Sequence, residues 1–580
     1  MQSIFESHGI SIQLQPQDDD DDPEWQPDDD DDDEAYEDED EEIEVDRSAF
    51  PMNDTPNETG IHLMDSGDFG RVGVKRDNRG FVYAQRSVAR RILDESSLRR
   101  ATLFREDYTS SLVPNTNGTA VAVYHANVYS GQFSADSSFY YTCAQDFGLR
   151  VYDMTAPPVD HRRPENQQMD NGSRSTLKML KMINGISGRW TITDANLSPD
   201  NTRMIYSSIT STVYMTSVLD NSKNQTPIRF GGSRHDPYMG GMGIWSCRFS
   251  ADGNEIVAGG SGQIMVYDLL ADRKTVEIDA HSDDVNSCCW ADTASGNVLV
   301  SASDDTFIKV WDRRSLGHSA RPSGVLIGHT EGITNVSAKG DGRYIISNGK
   351  DQAMRLWDLR CMRSSDEFET IKNRRYGIKN FDYRYPAYPK TNRLAHPKDC
   401  SVMTYRGHAV LRTLIRCHFS PMETTGASYL YSGSADGRVH IWSLDGRVVQ
   451  VLDRSRTLPM TFDPTEREPD AALANPRRNV CVRDVSWSSQ EPLLMSAGWE
   501  GGSRTGSVVA AHHWKGLNRR PGALEDYVER QRQESADVVT GSGGRSASRR
   551  FRIPGSYGID SEDDVEVEND DEDEDWVDQI

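Results

Sequence analysis

Three stretches of this chain repeat one pattern, and that repeat constrains the fold more than any other feature. They are HSDDVNSCCWADTASGNVLVSASDDTFIKVWDRR (residues 281–314), HTEGITNVSAKGDGRYIISNGKDQAMRLWDLR (329–360) and HAVLRTLIRCHFSPMETTGASYLYSGSADGRVHIWSL (408–444). Each opens at a His. An alternating apolar run follows, then a polar turn, a Ser-bearing strand, an Asp turn and a strand ending at Trp. Four weaker copies flank them. One runs from His125 through GQFSADSSFYYTCAQDFGLRVYD, with Asp146 and Tyr152 in the Asp and Trp places. A second includes ANLSPDNTRMIYSSITSTVYM, and a third is WSCRFSADGNEIVAGGSGQIMVYD, with Tyr267 in the Trp place. The last is VRDVSWSSQEPLLMSAGWEGGSRTGSVVAAHHW, where Glu500 replaces Asp and Trp514 closes the copy. A unit of about 40 residues is four short antiparallel strands that cannot bury both faces alone. Seven units packed around an axis bury those faces and remove most exposed sheet edge. The expectation is an all-β, seven-bladed β-propeller over residues 116–514.

The pattern resembles the WD-repeat family across about 400 residues. The resemblance implies a hydrogen-bonded set inside a blade: His281, Ser301, Asp305 and Trp311, then His329, Ser347, Asp351 and Trp357, then His408, Ser432, Asp436 and Trp442. Recurring Ser, His and Asp invite an enzymatic reading. A set that returns at the same place in successive repeats is structural, because an active site needs one copy. No G-x-S-x-G elbow, phosphate-binding G-x-x-x-x-G-K-[ST] loop or H-E-x-x-H helix appears. The expected protein is a non-catalytic binding scaffold with no cofactor.

Charge divides the chain into a body and two ends. Residues 1–46 hold 22 Asp or Glu and residues 559–580 hold 13, with no Lys or Arg in either block. Removing those negative charges from a net −27 leaves +8 for residues 47–559. Like-charge blocks stay solvated, so both ends read as disordered. A 36% hydrophobic content agrees with long unpacked stretches. The expected organisation is an acidic tail over 1–60, an arm with short amphipathic helices over 61–115, the propeller, and a basic-then-acidic tail over 515–580. Eight cysteines include no C-x-x-C pair, and no Cys/His set has metal-ligand spacing. A reduced, soluble, intracellular protein of nucleus and cytoplasm is expected, with no membrane span and nucleic acid an unfavoured partner.

Four features are not needed to build blades. Two neighbouring copies end in W-D-x-R, as Trp311, Asp312, Arg314 and Trp357, Asp358, Arg360; the planar Arg fork suits bidentate bonds to carboxylate or carbonyl oxygen. Residues 84–108 carry Val88, Ile92, Leu93, Leu98, Leu103 and Phe104 at helical spacing among basic residues. The long connection over 361–407, placed between the fifth and sixth blades, interleaves Arg374, Arg375, Tyr376, Tyr383, Arg384 and Tyr385. Such a mixture suits protein hot spots and also single-stranded nucleic acid, with protein favoured. The acidic tails are the fourth feature, open to a solubility role or to capture of basic partners.

The paired W-D-x-R, the arm, and stretches such as DYRYPAYPK and NVCVRDVSWSSQEPLLMSAGWEG resemble WD-repeat substrate receptors of cullin-4 RING ubiquitin ligases. That resemblance implies adaptor binding through Trp311, Asp312, Arg314, Trp357, Asp358 and Arg360. Its implied partners are the damaged-DNA-binding adaptor, the cullin-4 ligase and a protein substrate. Substrate contact is expected at Arg374, Arg375, Tyr376, Tyr383, Arg384 and Tyr385. The alternative function is a nuclear scaffold or chaperone for histone or ribosome assembly.

Overall fold

A computed structural model of the chain describes residues 112–515 apart from short stretches, the longest being 159–172, 232–241 and 463–479, together with Thr109 and most of 52–69. The acidic tails, the C-terminal segment and the arm at 84–108 lie outside the described residues. Seven antiparallel sheets form the blades of a propeller. Blade 1 runs from Val128–Phe133 to Lys178–Asn184, blade 2 from Ile192–Leu197 to Gln225–Arg229, and blade 3 from Ile244–Phe249 to Arg273–Asp279. Blade 4 comprises Ser287–Trp290, Val298–Ala302, Ile308–Asp312 and Gly324–Leu326. Blade 5 comprises Ile333–Ala338, Tyr344–Gly349, Ala353–Asp358 and Met403–Tyr405. Blade 6 runs from Cys417–Phe419 to Val448–Asp453.

Blade 7 takes three strands from the end of the repeat region and a fourth from its start. Val480–Trp487, Leu493–Gly502 and Thr505–His513 are joined by Thr119–Tyr124, paired Thr119 to Ala511 and Tyr124 to Ser507, and the short strand Arg174–Ser175 adds outside it against Ala122 and Val123. Ring closure is thus a main-chain ladder between residues nearly 400 apart. The first strands follow one another around the axis, and Val128–Phe133 meets both Ile192–Leu197 and Val480–Trp487.

Burial follows position within a blade. Tyr344–Gly349 and Ala353–Asp358 are buried throughout, because neighbouring blades cover both faces of a middle strand. Outer strands such as Arg273–Asp279 alternate exposed and covered residues, because one face meets solvent. The tryptophans wedge between blades. Trp311 packs with Val257, Val266 and Ile278 of blade 3, Trp357 with Val300 and Val310 of blade 4, and Trp442 with Tyr344 and Leu356 of blade 5.

The polar set forms in blades 4 and 5. Trp311 Nε1 donates to Ser301 Oγ (3.0 Å), Ser301 Oγ bonds His281 Nε2 (2.7 Å), and His281 Nδ1 bonds Asp305 (2.8 Å). Trp357, Ser347, His329 and Asp351 repeat it at 2.8, 2.7 and 2.9 Å. Burial pushes the His281 imidazole down against the opposing pull of Asp305, so the ring is neutral and donates from Nδ1.

Blade 6 corrects the expectation of a third copy. His408 Nε2 bonds Asn348 Oδ1 of blade 5 (3.0 Å), Asn348 Nδ2 donates to Ser432 Oγ (2.8 Å), and Trp442 Nε1 donates to the Arg406 carbonyl (3.1 Å). The cause is Asn348 itself. It stands where blade 4 has Ala302, and its amide captures both His408 and Ser432. Asp436 instead faces Arg438 (3.6 Å) and His440 (3.8 Å). Blade 7 carries a further correction. Register puts His512, not Trp514, in the Trp place, opposite Leu494 as Trp311 is opposite Leu299. His512 Nε2 bonds Ser496 Oγ (2.7 Å), and buried Arg454 donates to the same hydroxyl (2.6 Å).

Candidate functional site

The turns that leave the third strands of blades 4 and 5 emerge on one side of the ring, and both W-D-x-R arginines sit there. Trp311 and Trp357 are buried, which fixes the strand end. Asp312 Oδ1 accepts from the Arg314 backbone N–H (3.0 Å) and Nε (2.9 Å), while Oδ2 accepts from Nη2 (2.6 Å). Asp358 holds Arg360 the same way, from N–H (3.0 Å), Nε (3.1 Å) and Nη2 (2.7 Å). The Arg314 bonds hold the Asp312 carboxyl below its usual range. Both arginine side chains remain about two-thirds exposed, at 68% and 67%. The aspartates are therefore holders and the arginines the presented groups. Arg313, next to Arg314, does different work. It makes a bidentate pair with Glu255 (2.6 and 2.7 Å) and lies over Trp290, tying blade 4 to blade 3. Beside Arg314 lies a groove of about 500 Å³ lined by Val276, Ile278, Asn297 and Leu316.

A segment before the propeller docks on this same side, a feature the sequence did not announce. The helix Glu58–Asp65 starts at Asn57, whose side chain accepts from Thr59 N–H (2.9 Å). Leu63 and Phe69 are buried with Tyr344, Met403 and Leu444 of blades 5 and 6. Gly60 lies so close that a Cβ there would stand 2.5 Å from Asp445 Cα. The helix straddles the tail boundary expected at residue 60.

The opposite side carries the long insertion, and here the structure corrects its placement. Residues 361–402 lie within blade 5, between its third strand and the outer strand Met403–Tyr405. The chain first extends blade 4, with Arg363 and Val325 exchanging backbone bonds (2.8 and 2.9 Å). The short helix Ser365–Glu369 then sets Phe368 edge-on to Phe307 (5.0 Å). Ile378 N–H donates to Glu331 (2.5 Å), and burial under this strand of chain pushes the Glu331 carboxyl up to about 7.

Tyr383 anchors the insertion on the ring. Its ring takes Lys350 Nζ at 4.0 Å and its carbonyl accepts from Arg412 N–H (2.6 Å). Those partners come from blade 5 and the entry to blade 6. The six residues expected as a substrate surface thus divide. Tyr383 is an anchor and Tyr376 packs edge-on against His396 (4.4 Å), whereas Arg374, Arg375, Arg384 and Tyr385 are exposed. Sequence reasoning missed the aromatic neighbours, where Tyr129 meets Trp190 (5.4 Å) and Trp499 (5.2 Å) and Trp190 is 57% exposed.

Inside the axis lies a buried ion network, also missed. Arg416 of blade 6 bonds Asp194 of blade 2 (2.8 Å), Ser130 of blade 1 (2.9 Å) and, at 3.5 Å, Asp484 of blade 7. Arg248 of blade 3 also pairs with Asp194, and His418 and Gln132 reach Asp484. Burial pushes both carboxyls up, but the guanidiniums outweigh it and hold them below the usual range. A signal existed. Blades 1, 3 and 5 place Ser130, Ser246 and Asn335 at this register, so Asp194 and Asp484 break a small-polar pattern. Among the described residues, no group of three His, Cys, Asp or Glu is placed to hold a metal, and no helix is long and apolar enough to cross a membrane.

Comparison with known proteins matches the WD domain, G-beta repeat model to residues 236–268, 273–312, 320–358 and 399–443. The LEC14B protein of Lithospermum erythrorhizon is 40% identical over 385 residues, covering 65% of this chain and 72% of that protein. The chain belongs to this WD-repeat family. A LEC14B homolog of Prunus armeniaca is 40% identical over 387 residues, 64% of this chain and 70% of its own. The DDB1- and CUL4-associated factor 11 homolog of Caenorhabditis elegans is 33% identical over 319 residues, 54% of this chain and 51% of its own. The chain is therefore a WD-repeat protein similar to that factor. The WD-repeat propeller is generally a non-catalytic scaffold, which agrees with polar sets that hold blades together.

Proposed function

We propose that this protein is the substrate-recognition subunit of a cullin-4 RING ubiquitin ligase. It binds the adaptor DDB1 on the side of Arg314 and Arg360, and the target protein on the side of the insertion. The observation that carries this reading is the pair of arginines, each held by its own Asp and exposed on neighbouring blades. The chain makes no bond itself and uses no metal or cofactor. It holds a target near the ligase's loaded conjugating enzyme, and positioning replaces a large translational entropy cost. Such work belongs to nucleus and cytoplasm. Arg384, Tyr385 and Trp190 are the target-facing groups, because aromatic and Arg side chains dominate protein hot spots.

The acidic blocks at 1–46 and 559–580 favour a second reading, a nuclear scaffold or chaperone for histone or ribosome assembly. Affinity purification of the full chain with mass spectrometry separates the two. DDB1 and cullin-4 lead the recovered proteins under the first; histones or ribosomal factors without them would establish the second.

A further inference from the structure

In six blades the connection that leaves the third strand carries a capping Asp, which ends the strand in blades 1, 3, 4 and 5 and follows its end by three residues in blade 2 and two in blade 6. In each, an Asp side chain accepts from the backbone N–H two residues on: Asp153 from Thr155 (2.9 Å), Asp220 from Ser222 (3.2 Å), Asp268 from Leu270 (2.9 Å), Asp312 from Arg314 (3.0 Å), Asp358 from Arg360 (3.0 Å) and Asp445 from Arg447 (3.1 Å). Such an Asp turn asks nothing of the second residue's side chain. Blades 1, 2 and 3 accordingly carry Thr, Ser and Leu there. Blades 4, 5 and 6 all carry Arg.

Arg447 makes the same Asp–Arg pair as the other two, with both nitrogens on one carboxylate oxygen and just before the fourth strand of blade 6. Its Nε donates to Asp445 at 2.8 Å and its Nη2 lies 2.7 Å from the same carboxylate, with the side chain 48% exposed. No W-D pair marks it, since Asp445 follows Trp442 by three positions rather than one. Exposed ion pairs add little stability, so folding does not account for three arginines on three consecutive blades. The turn is also braced from outside. Asn57 N–H donates to the Asp445 carbonyl (2.8 Å) and Val448 N–H to the Asn53 carbonyl (3.0 Å). The docked segment 52–69 therefore fixes the Arg447 turn from the same side of the ring.

We infer that Arg447 is a third anchor of the adaptor-binding face, which spans blades 4, 5 and 6 and fits an acidic, carbonyl-rich protein surface. The inference rests on the proposed adaptor reading. A row of braced guanidinium forks loses little freedom on binding and recognises carboxylate or carbonyl oxygen by geometry as well as charge. In Arg447→Ala the residue 447 N–H still caps Asp445, so the turn persists.

The test titrates purified DDB1 against the full chain as wild type, Arg447→Ala, Arg447→Lys and Arg314→Ala/Arg360→Ala, with melting recorded for each. Arg447→Ala is expected to weaken binding by about tenfold with unchanged melting. Arg447→Lys keeps stem and charge, guards against a folding defect, and is expected to bind several-fold more weakly than wild type. Wild-type affinity in both Arg447 variants, beside a loss in Arg314→Ala/Arg360→Ala, overturns the inference and leaves the adaptor reading standing. Wild-type affinity in all three overturns both.

Discussion

The chain from Trp311 through Ser301 and His281 to Asp305 runs donor to acceptor without a gap, and each member is buried or nearly so. Asp305→Ala strips His281 Nδ1 of its acceptor inside a protein interior. The expected loss is about 1–3 kcal/mol, read as a lower urea midpoint with adaptor affinity unchanged in the folded fraction. A stable variant with a binding defect would move Asp305 from the blade to an interface. The axis poses a sterner case. Arg416 neutralises Asp194 and Asp484 far from water, so Arg416→Ala leaves buried carboxylates under-compensated. Breaking such a network costs about 3–5 kcal/mol, and the midpoint should fall accordingly. A midpoint near wild type would mean that Arg248 and His418 suffice alone.

Single elements explain why some of this was legible in sequence and some was not. Blades 4, 5 and 6 were legible because Trp, Asp and the alternating runs recur at fixed spacing, and those residues shape the strands they sit on. Arg314 and Arg360 were legible for the same reason, since a strand that ends at a buried Trp also fixes the turn after it. Closure through Thr119–Tyr124 was not, because nothing in that stretch names a partner nearly 400 residues away. Asn348 redirecting His408, and Arg416 bonding Asp194, are likewise contacts between blades that no local spacing encodes. The insertion was found as a long, aromatic and basic segment, but its outer strand Met403–Tyr405 is too short to read as part of blade 5. Its residues now separate by role. Arg384→Ala/Tyr385→Ala should leave melting unchanged and remove target proteins from co-purification. Tyr383→Ala should lower stability, because it frees Lys350 and the Arg412 loop. Equal melting losses in both variants would make the exposed pair structural.

For the molecule as a whole, buried histidines couple folding to pH. Burial drives His408 and His512 down to about 3 and lowers His281 from 6.5. Each is neutral when folded but takes a proton when unfolded below about 6.5. Their contribution is therefore complete above that pH and drains away as pH falls toward the folded values, by about 1.4 kcal/mol per unit for each histidine. Glu331, raised to about 7, acts in the opposite sense, since its share is present below its ordinary 4.5 and lost as pH rises through 7. Burial lowers His396 and His513 as well, and these histidines together outweigh one carboxyl, so the urea midpoint should drop between pH 7.5 and 5.5; a flat or rising midpoint contradicts the neutral assignment. The docked helix sets the limit of safe truncation. A chain of residues 47–558 should melt near the full-length temperature, whereas one starting at 61 loses the Asn57 cap and Met52 and should melt lower.

In the proposed reading the two sides of the ring do different work, and the side that carries Arg314 and Arg360 is the more sharply defined. The direct measurement is the affinity of purified DDB1 for the wild-type chain and for Arg314→Ala/Arg360→Ala lacking residues 81–108. Charge-assisted bonds contribute about 1.5–3 kcal/mol each, so losing both arginines should weaken binding by at least about tenfold with melting unchanged. Undiminished affinity in that folded variant would contradict the receptor account and leave the assembly scaffold in its place.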